Sequence, residues 1–211
     1  MDDYEEFISR VKDIHKIGAL QGHLGWDQET IMPPNGAQSR GEILSWLAKE
    51  QHLRTTDPKL GELVEKLSND GSLNQDQKSN VKEIKRRFEK ASKLPSEFVA
   101  EFAKTKSEAL LAWQQARSES NFDLFKPKLQ KLIDMTKQKI EYYGIETTSY
   151  DVLLDEFEVG MTVEDYDPLF DGLKQRLVPL LQKIMKAKEN NPDPILPEEM
   201  TFSIEGQTEF C

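Results

Sequence analysis

Residues 121–144 read NFDLFKPKLQKLIDMTKQKIEYYG and repeat mostly apolar side chains at steps of three and four. The repeated positions are Phe122, Phe125, Leu129, Leu132, Thr136, Ile140 and Tyr143. Residues at these steps share one face of an α-helix, and such a face needs neighbouring helices to cover it. Gly144 follows the last position and predicts the helix end, because glycine tolerates the backbone conformation common there. This segment therefore predicts a helix packed against other helices.

The same spacing recurs along the chain, and most of these runs begin at a typical capping residue. The first helix has apolar positions Tyr4, Phe7, Ile8, Val11, Ile14, Ile17 and Leu24, between a cap at Asp2 or Asp3 and the pair Pro33-Pro34. Further helices are predicted to begin near Asn35, Asp57-Pro58, Asn74, Pro95-Ser96 and Thr162. The last run continues to Ile184, and Pro179 inside it predicts a bend.

We therefore expect an all-α protein, a bundle of long antiparallel amphipathic helices. Strand-like runs are almost absent, and the exception is a short segment at residues 201–204. Residues 1–190 are predicted to form the helical region. Residues 191–211 are predicted to be a loop followed by too little chain for a second domain.

Composition restricts the function classes. The 211 residues carry a formal net charge of -10, which disfavours nucleic-acid binding, because that affinity comes from Lys and Arg on phosphates. A basic run at residues 82–93 alternates with Val81, Ile84, Phe88 and Ala91, so it indicates the solvated face of a core helix, although a local patch that contacts an acidic partner stays open. We expect no membrane span and a cytoplasmic protein, and Cys211, the sole cysteine, is a poor choice for a nucleophile.

The three histidines do not suggest a metal centre in this chain. His15 and His23 lie on one predicted helix about 12 Å apart along its axis, too far to share a zinc ion. His23 and Asp27 share a helix face and would need a further ligand, so we interpret them as a hydrogen-bonded pair, with a zinc site between two chains as the weaker alternative. His52 is interpreted as a cation near a helix end, where the carbonyl groups favour positive charge.

Residues 26–34, WDQETIMPP, place a tryptophan and three charged or amide side chains just before a double proline. A helix that ends at such a rigid pair of prolines can hold side chains at the rim of a cleft. The structural alternative is a Trp26 packed in the core, with Asp27 or Glu29 bound to nearby backbone. The sequence alone favours that alternative.

Residues 26–34 and residues 150–162, YDVLLDEFEVGMT, together resemble the amino-terminal half of the carboxypeptidase Taq family of metal-dependent carboxypeptidases. Residues 36–42, GAQSRGE, residues 113–117, WQQAR, and residues 121–129 resemble further landmarks of that family, in the same order. The chain departs at Val159, where the family usually has proline. The His-Glu-x-x-His metal segment of the family is absent and would lie beyond Cys211.

The resemblance implies an amino-terminal helical part of a zincin-like enzyme that removes carboxy-terminal amino acids from peptides with zinc or another divalent metal. It implies no catalytic or metal-ligating residue in this chain, which is expected to be inactive alone. The residues it points to for a wall of the substrate groove are Trp26, Asp27 and Arg40. The alternative is a non-catalytic helical interaction module derived from such an enzyme, and exposed helix faces would then favour association, including a homodimer.

Overall fold

The computed structural model describes residues 2–145, 148–190 and 203–210, and within them the regular structure is helical. The α-helices are α1 Asp3–Thr30, α2 Ala37–Thr55, α3 Pro58–Ser68, α4 Gln75–Ala91, α5 Ser96–Ser118, α6 Lys126–Tyr143, α7 Ser149–Leu154, α8 Val163–Asn190 and α9 Ile204–Phe210. Short 3-10 turns occur at Pro34–Gly36 and Phe122–Leu124. The chain divides into two compact units, Met1–Val152 and Leu153–Cys211. The predicted all-α class is confirmed.

The capping residues decide where the helices of the first unit begin. Asp2 and Glu5 form a reciprocal capping box at the start of α1, and Asn74 and Gln77 form another at α4. The Asp57 side chain accepts from the Lys59 amide at the start of α3. These interactions satisfy amide groups that have no partner inside the helix, so the predicted starts are confirmed.

One core cluster joins α1, α3 and α4 in the first unit. Its buried members are Phe7, Val11, Leu60, Leu63, Val64, Leu67, Leu73 and Val81. Gly61 allows α3 and α4 to approach closely, because a Cβ built there would lie 2.6 Å from the ring of Phe88. Burial of this apolar surface is the main force that holds these three helices together.

A second set of contacts packs α5 between α2 and α6 in the same unit. Leu47 and Ala48 of α2 are buried, as are Ala109 of α5 and Ile140 of α6. Gly144 ends α6 with a φ of 82°, the left-handed region in which only glycine is unstrained, so the predicted stop is confirmed. The predicted start after Asn121 needs a correction, because residues 122–124 form a 3-10 turn before α6 begins at Lys126.

The second unit contains α8 and α9. Thr162 and Asp165 exchange hydrogen bonds at the start of α8, as the sequence predicted. Pro168 and Pro179 lie within the helix. The short strand predicted at residues 201–204 is wrong at Ile204, which begins α9, and residues 201 and 202 lie outside the described part of the chain. Among the described residues, no helix combines the length and apolar character needed to cross a bilayer.

Candidate functional site

Neighbouring side chains near the C-terminal end of α1 lie in different environments. Trp26 is 56% exposed, whereas Gln28, two residues later, is buried. The Thr30 hydroxyl donates to the Trp26 carbonyl, and Ile31 caps the helix before the extended Pro33. The alternative of a Trp26 packed in the core is therefore wrong. The indole is held on a regular helix, about one turn before α1 ends at Thr30.

Asp27 and Arg40 form an ion pair that joins the end of α1 to α2. The Arg40 guanidinium donates to the Asp27 carboxylate and to the Leu24 carbonyl, and the two side chains are only 13% and 25% exposed. Arginine suits this arrangement because its planar group donates in two directions at once. Two of the three groove candidates thus contact each other, and Trp26 lies on the adjacent, exposed face of the same helix.

A buried polar pair fixes the same end of α1 to α5. Gln28 donates to the Ser107 carbonyl at 3.2 Å, and the Ser107 hydroxyl donates to the Gln28 side-chain oxygen at 3.0 Å. Both residues are buried, so each group satisfies the other in place of water. This pair was not predicted from the sequence. One feature of the sequence could have indicated it. Gln28 lies four residues after Leu24 on the apolar face of α1, where a polar side chain needs a buried partner.

These contacts restrict the chemistry of the site. The Asp27 carboxylate accepts from Arg40, so it is engaged in an ion pair between α1 and α2. His23 lies beside the exposed indole, with its ring centroid 6.0 Å from that of Trp26. The arrangement offers an aromatic surface on a rigid support. It suits contact with a substrate more than proton transfer.

The described residues do not bring together a set of ligands for a divalent metal. In the part of the chain that the structure describes, no three His, Cys, Asp or Glu side chains come together as a set of ligands. The nearest carboxylate partner expected for His23 was Asp27, and that carboxylate accepts from Arg40. Cys211 lies outside the described residues.

His52 differs from its prediction as a cation near a helix end. It is 8% exposed, and desolvation lowers its pKa, against weaker opposing effects of the Leu94 carbonyl and the Glu97 carboxylate. A buried imidazole is disfavoured in its charged form. His52 is therefore a neutral core residue of α2 near pH 7.

The chain should lose stability as the pH falls below about 6.5, the ordinary value for histidine. A histidine whose folded pKa lies below its unfolded pKa binds a proton more readily when unfolded, so its contribution is complete above the unfolded pKa and decreases as the pH falls through both values. Urea unfolding followed by tryptophan fluorescence at pH 7.5 and 5.5 measures the change. His52→Gln should reduce this dependence, while the exposed His15→Gln should retain it. An unchanged dependence in His52→Gln would contradict the assignment.

Arg40→Ala should lower the free energy of unfolding by about 1–3 kcal/mol, because it leaves the Asp27 carboxylate and the Leu24 carbonyl without their donor. Urea unfolding gives the value. The matched control is Arg54→Ala, which removes an exposed pair with Glu50 within α2 and should cost under about 0.5 kcal/mol. Equal losses in both variants would mean that the Arg40 pair adds no more than a surface contact.

The same arrangement of helices occurs in solved metallocarboxypeptidases. Trypanosoma cruzi metallocarboxypeptidase 1 matches with a TM-score of 0.78 and 26% identity over 99% of this chain and 42% of that structure. The crystal structure of BsuCP matches with a TM-score of 0.84 and 32% identity over 88% of this chain and 37% of the other.

Sequence relatives agree with the structures. Thermostable carboxypeptidase 1 of Pyrococcus furiosus is 34% identical over 86% of this chain and 36% of its own length. Carboxypeptidase 1 of Bacillus subtilis is 34% identical over 90% of this chain and 38% of its own length. Residues 6–211 match the carboxypeptidase Taq (M32) metallopeptidase family. The chain belongs to this family, and it spans about two fifths of the length of these relatives.

Proposed function

We propose that this chain is the amino-terminal helical part of a metal-dependent carboxypeptidase that releases the last residue of peptides, and that it is inactive alone. Support comes from the family match over residues 6–211, together with relatives named carboxypeptidase of which the chain spans 36% and 38%. The metal ligands and the activating base would then belong to segments outside this chain. The longer enzyme would bind the metal, which is zinc or another divalent ion. We place that enzyme in the cytoplasm.

The end of α1 is the part of this chain that we assign to a wall of the substrate groove. Trp26 is exposed, while Asp27 and Arg40 fix the helix that carries it. An aromatic side chain on a rigid support provides apolar contact area for a peptide at little entropic cost. The ion pair and the Gln28–Ser107 pair keep the indole in a constant position. In this assignment Trp26 contacts substrate, and Asp27 and Arg40 are positioning residues.

Two experiments test the proposal: reading the coding DNA beyond codon 211, and assaying the release of amino acids from peptides. Coding DNA read past codon 211 in all frames should encode His-Glu-x-x-His, and the encoded longer protein should release carboxy-terminal amino acids from peptides and lose this activity with a chelator. The 211-residue chain assayed with added zinc should release none. A frame that truly stops at Cys211, or turnover by the purified short chain with contaminating proteases excluded, would overturn the proposal.

A second function is favoured by one observation, the exposed apolar face of α8. Leu173, Leu177 and Ile184 are each 43–56% exposed, and a continuous face of this kind promotes association. A non-catalytic helical module derived from the enzyme would use it to bind a partner, including a second copy. If the short chain is the complete product, a stable complex with a full-length relative would favour this function over the first.

A further inference from the structure

Charged side chains border the exposed apolar face of α8, and the sign of their charge changes along the helix. At about 100° per residue, Asp167 and Lys174 lie along one edge of that face, and Asp165, Arg176 and Lys183 lie along the other edge. All five side chains are exposed. The two edges are therefore acidic in the first turns of α8 and basic from its middle onward.

Stabilisation of α8 by its own dipole does not account for all of these charges. Carboxylates near the start of a helix and cations near its end are favourable, but the effect is confined to the first and last turns. Lys174 and Arg176 lie near the middle of α8, and Lys183 lies about two turns before the helix ends at Asn190. Charges at the edges of an apolar helix face contact the helix that covers it, so they influence the choice and orientation of the partner.

A second copy of α8 can cover the face in two orientations, and the order of the charges favours one of them. Packed helix axes lie about 8–10 Å apart, within the screening length of about 10 Å at 0.1 M salt. In a parallel pair, every edge charge lies beside charges of its own sign. In an antiparallel pair, Asp165 and Asp167 of one copy lie toward Lys183 of the other, while Lys174 and Arg176 stay near like charges at the middle. The antiparallel pair therefore replaces repulsion with attraction at both ends.

We propose that the apolar face of α8 binds the same face of a second copy of this chain, with the two helices antiparallel. The inference rests on the second proposed function, association through α8, and gives that association its partner and its geometry. Each copy supplies both an acidic and a basic end, so α8 is complementary to itself in this orientation. A two-fold antiparallel pair covers both faces, so assembly ends at a dimer instead of continuing into a filament.

Crosslinking of the 211-residue chain tests the orientation. Leu169→Cys and Ala187→Cys, each combined with Cys211→Ser, place single thiols 18 residues apart, about 27 Å along α8. The two variants are mixed in equal amounts and treated with a bismaleimide much shorter than that distance. We expect covalent dimers that contain one chain of each kind, identified by mass, and none from either variant alone. Covalent dimers from each variant alone, without the mixed kind, would show a parallel pair and overturn the proposal.

Charge reversal tests the reason for that orientation. Asp167→Lys should weaken the dimer at least about threefold at low salt, because the change acts twice in a symmetric pair. Asp167→Lys/Lys183→Asp exchanges the two signs and should restore the affinity. The matched control is Asp171→Lys, the same change of charge at an exposed position away from the apolar face, which should alter the affinity less than about twofold. Equal weakening in this control, or no recovery in the exchanged variant, would contradict the assigned role of the edge charges.

Sedimentation velocity separates failure of the orientation from failure of the association. A chain that is monomeric at all concentrations would overturn both the second proposed function and this inference. A dimer with parallel crosslinks would overturn the inference alone. A monomer that instead binds a full-length relative through α8 would assign the face to that relative and exclude the second copy. Assemblies that grow beyond a dimer with concentration would exclude the closed two-fold pair.

Discussion

Phe7→Ala should lower the free energy of unfolding of the first unit by about 3–5 kcal/mol, the cost of removing a buried aromatic ring and leaving a cavity. Phe7 is 0% exposed and lies in the cluster that joins α1 to α3 and α4, with the Tyr4 ring centroid 5.7 Å from its own. Leu60 and Leu63 on the facing helix α3 are equally enclosed, so the site has little freedom to collapse after truncation.

Tryptophan fluorescence in urea measures the unfolding of the first unit, because Trp26, Trp46 and Trp113 all lie within Met1–Val152. The control is Phe122→Ala in the same unit, which removes an identical ring that is 59% exposed and should cost under about 1 kcal/mol. A loss below about 1.5 kcal/mol for Phe7→Ala would contradict the description of this cluster as the tightly packed core.

The helices of this protein could be predicted from sequence because their signals are local. Asp2 with Glu5 and Asn74 with Gln77 are three residues apart, and each pair decides a helix start without help from the rest of the chain. Gly144 ends α6 through its own backbone conformation, which is also a local property. The 3-10 turn at residues 122–124 was missed because the apolar spacing continues through it, while Pro127 favours the first turn of a new helix at Lys126.

The candidate site was only partly predictable, because its contacts join residues that are distant in sequence. Gln28 and Ser107 are 79 residues apart, and no spacing rule connects them. Asp27 and Arg40 lie on two helices separated by a proline turn, so their pairing depends on the angle between those helices. The burial of His52 depends on packing against other helices in the same way.

The chain should self-associate through α8, and Leu177→Glu/Ile184→Glu should weaken that association by at least about 100-fold. Seven exposed apolar residues fall within about 120° of the helix circumference at 100° per residue, a wide and continuous apolar face. They are Leu169, Phe170, Leu173, Leu177, Leu180, Leu181 and Ile184. Loss of two large apolar side chains costs about 1.5–3 kcal/mol each, and the buried carboxylates add to it. Sedimentation velocity over the micromolar range measures the effect.

The control for this pair is Gln175→Glu/Gln182→Glu, which adds two carboxylates at the same seven-residue spacing on the opposite face of α8. It should associate like the original chain, since it leaves the apolar face intact and adds the same charge. If the face is instead buried within the longer enzyme, that enzyme should not associate through α8, and the glutamates there should destabilise its fold. A short chain that remains monomeric at all concentrations would contradict the prediction, because about 120° of exposed apolar helix should not remain free in water.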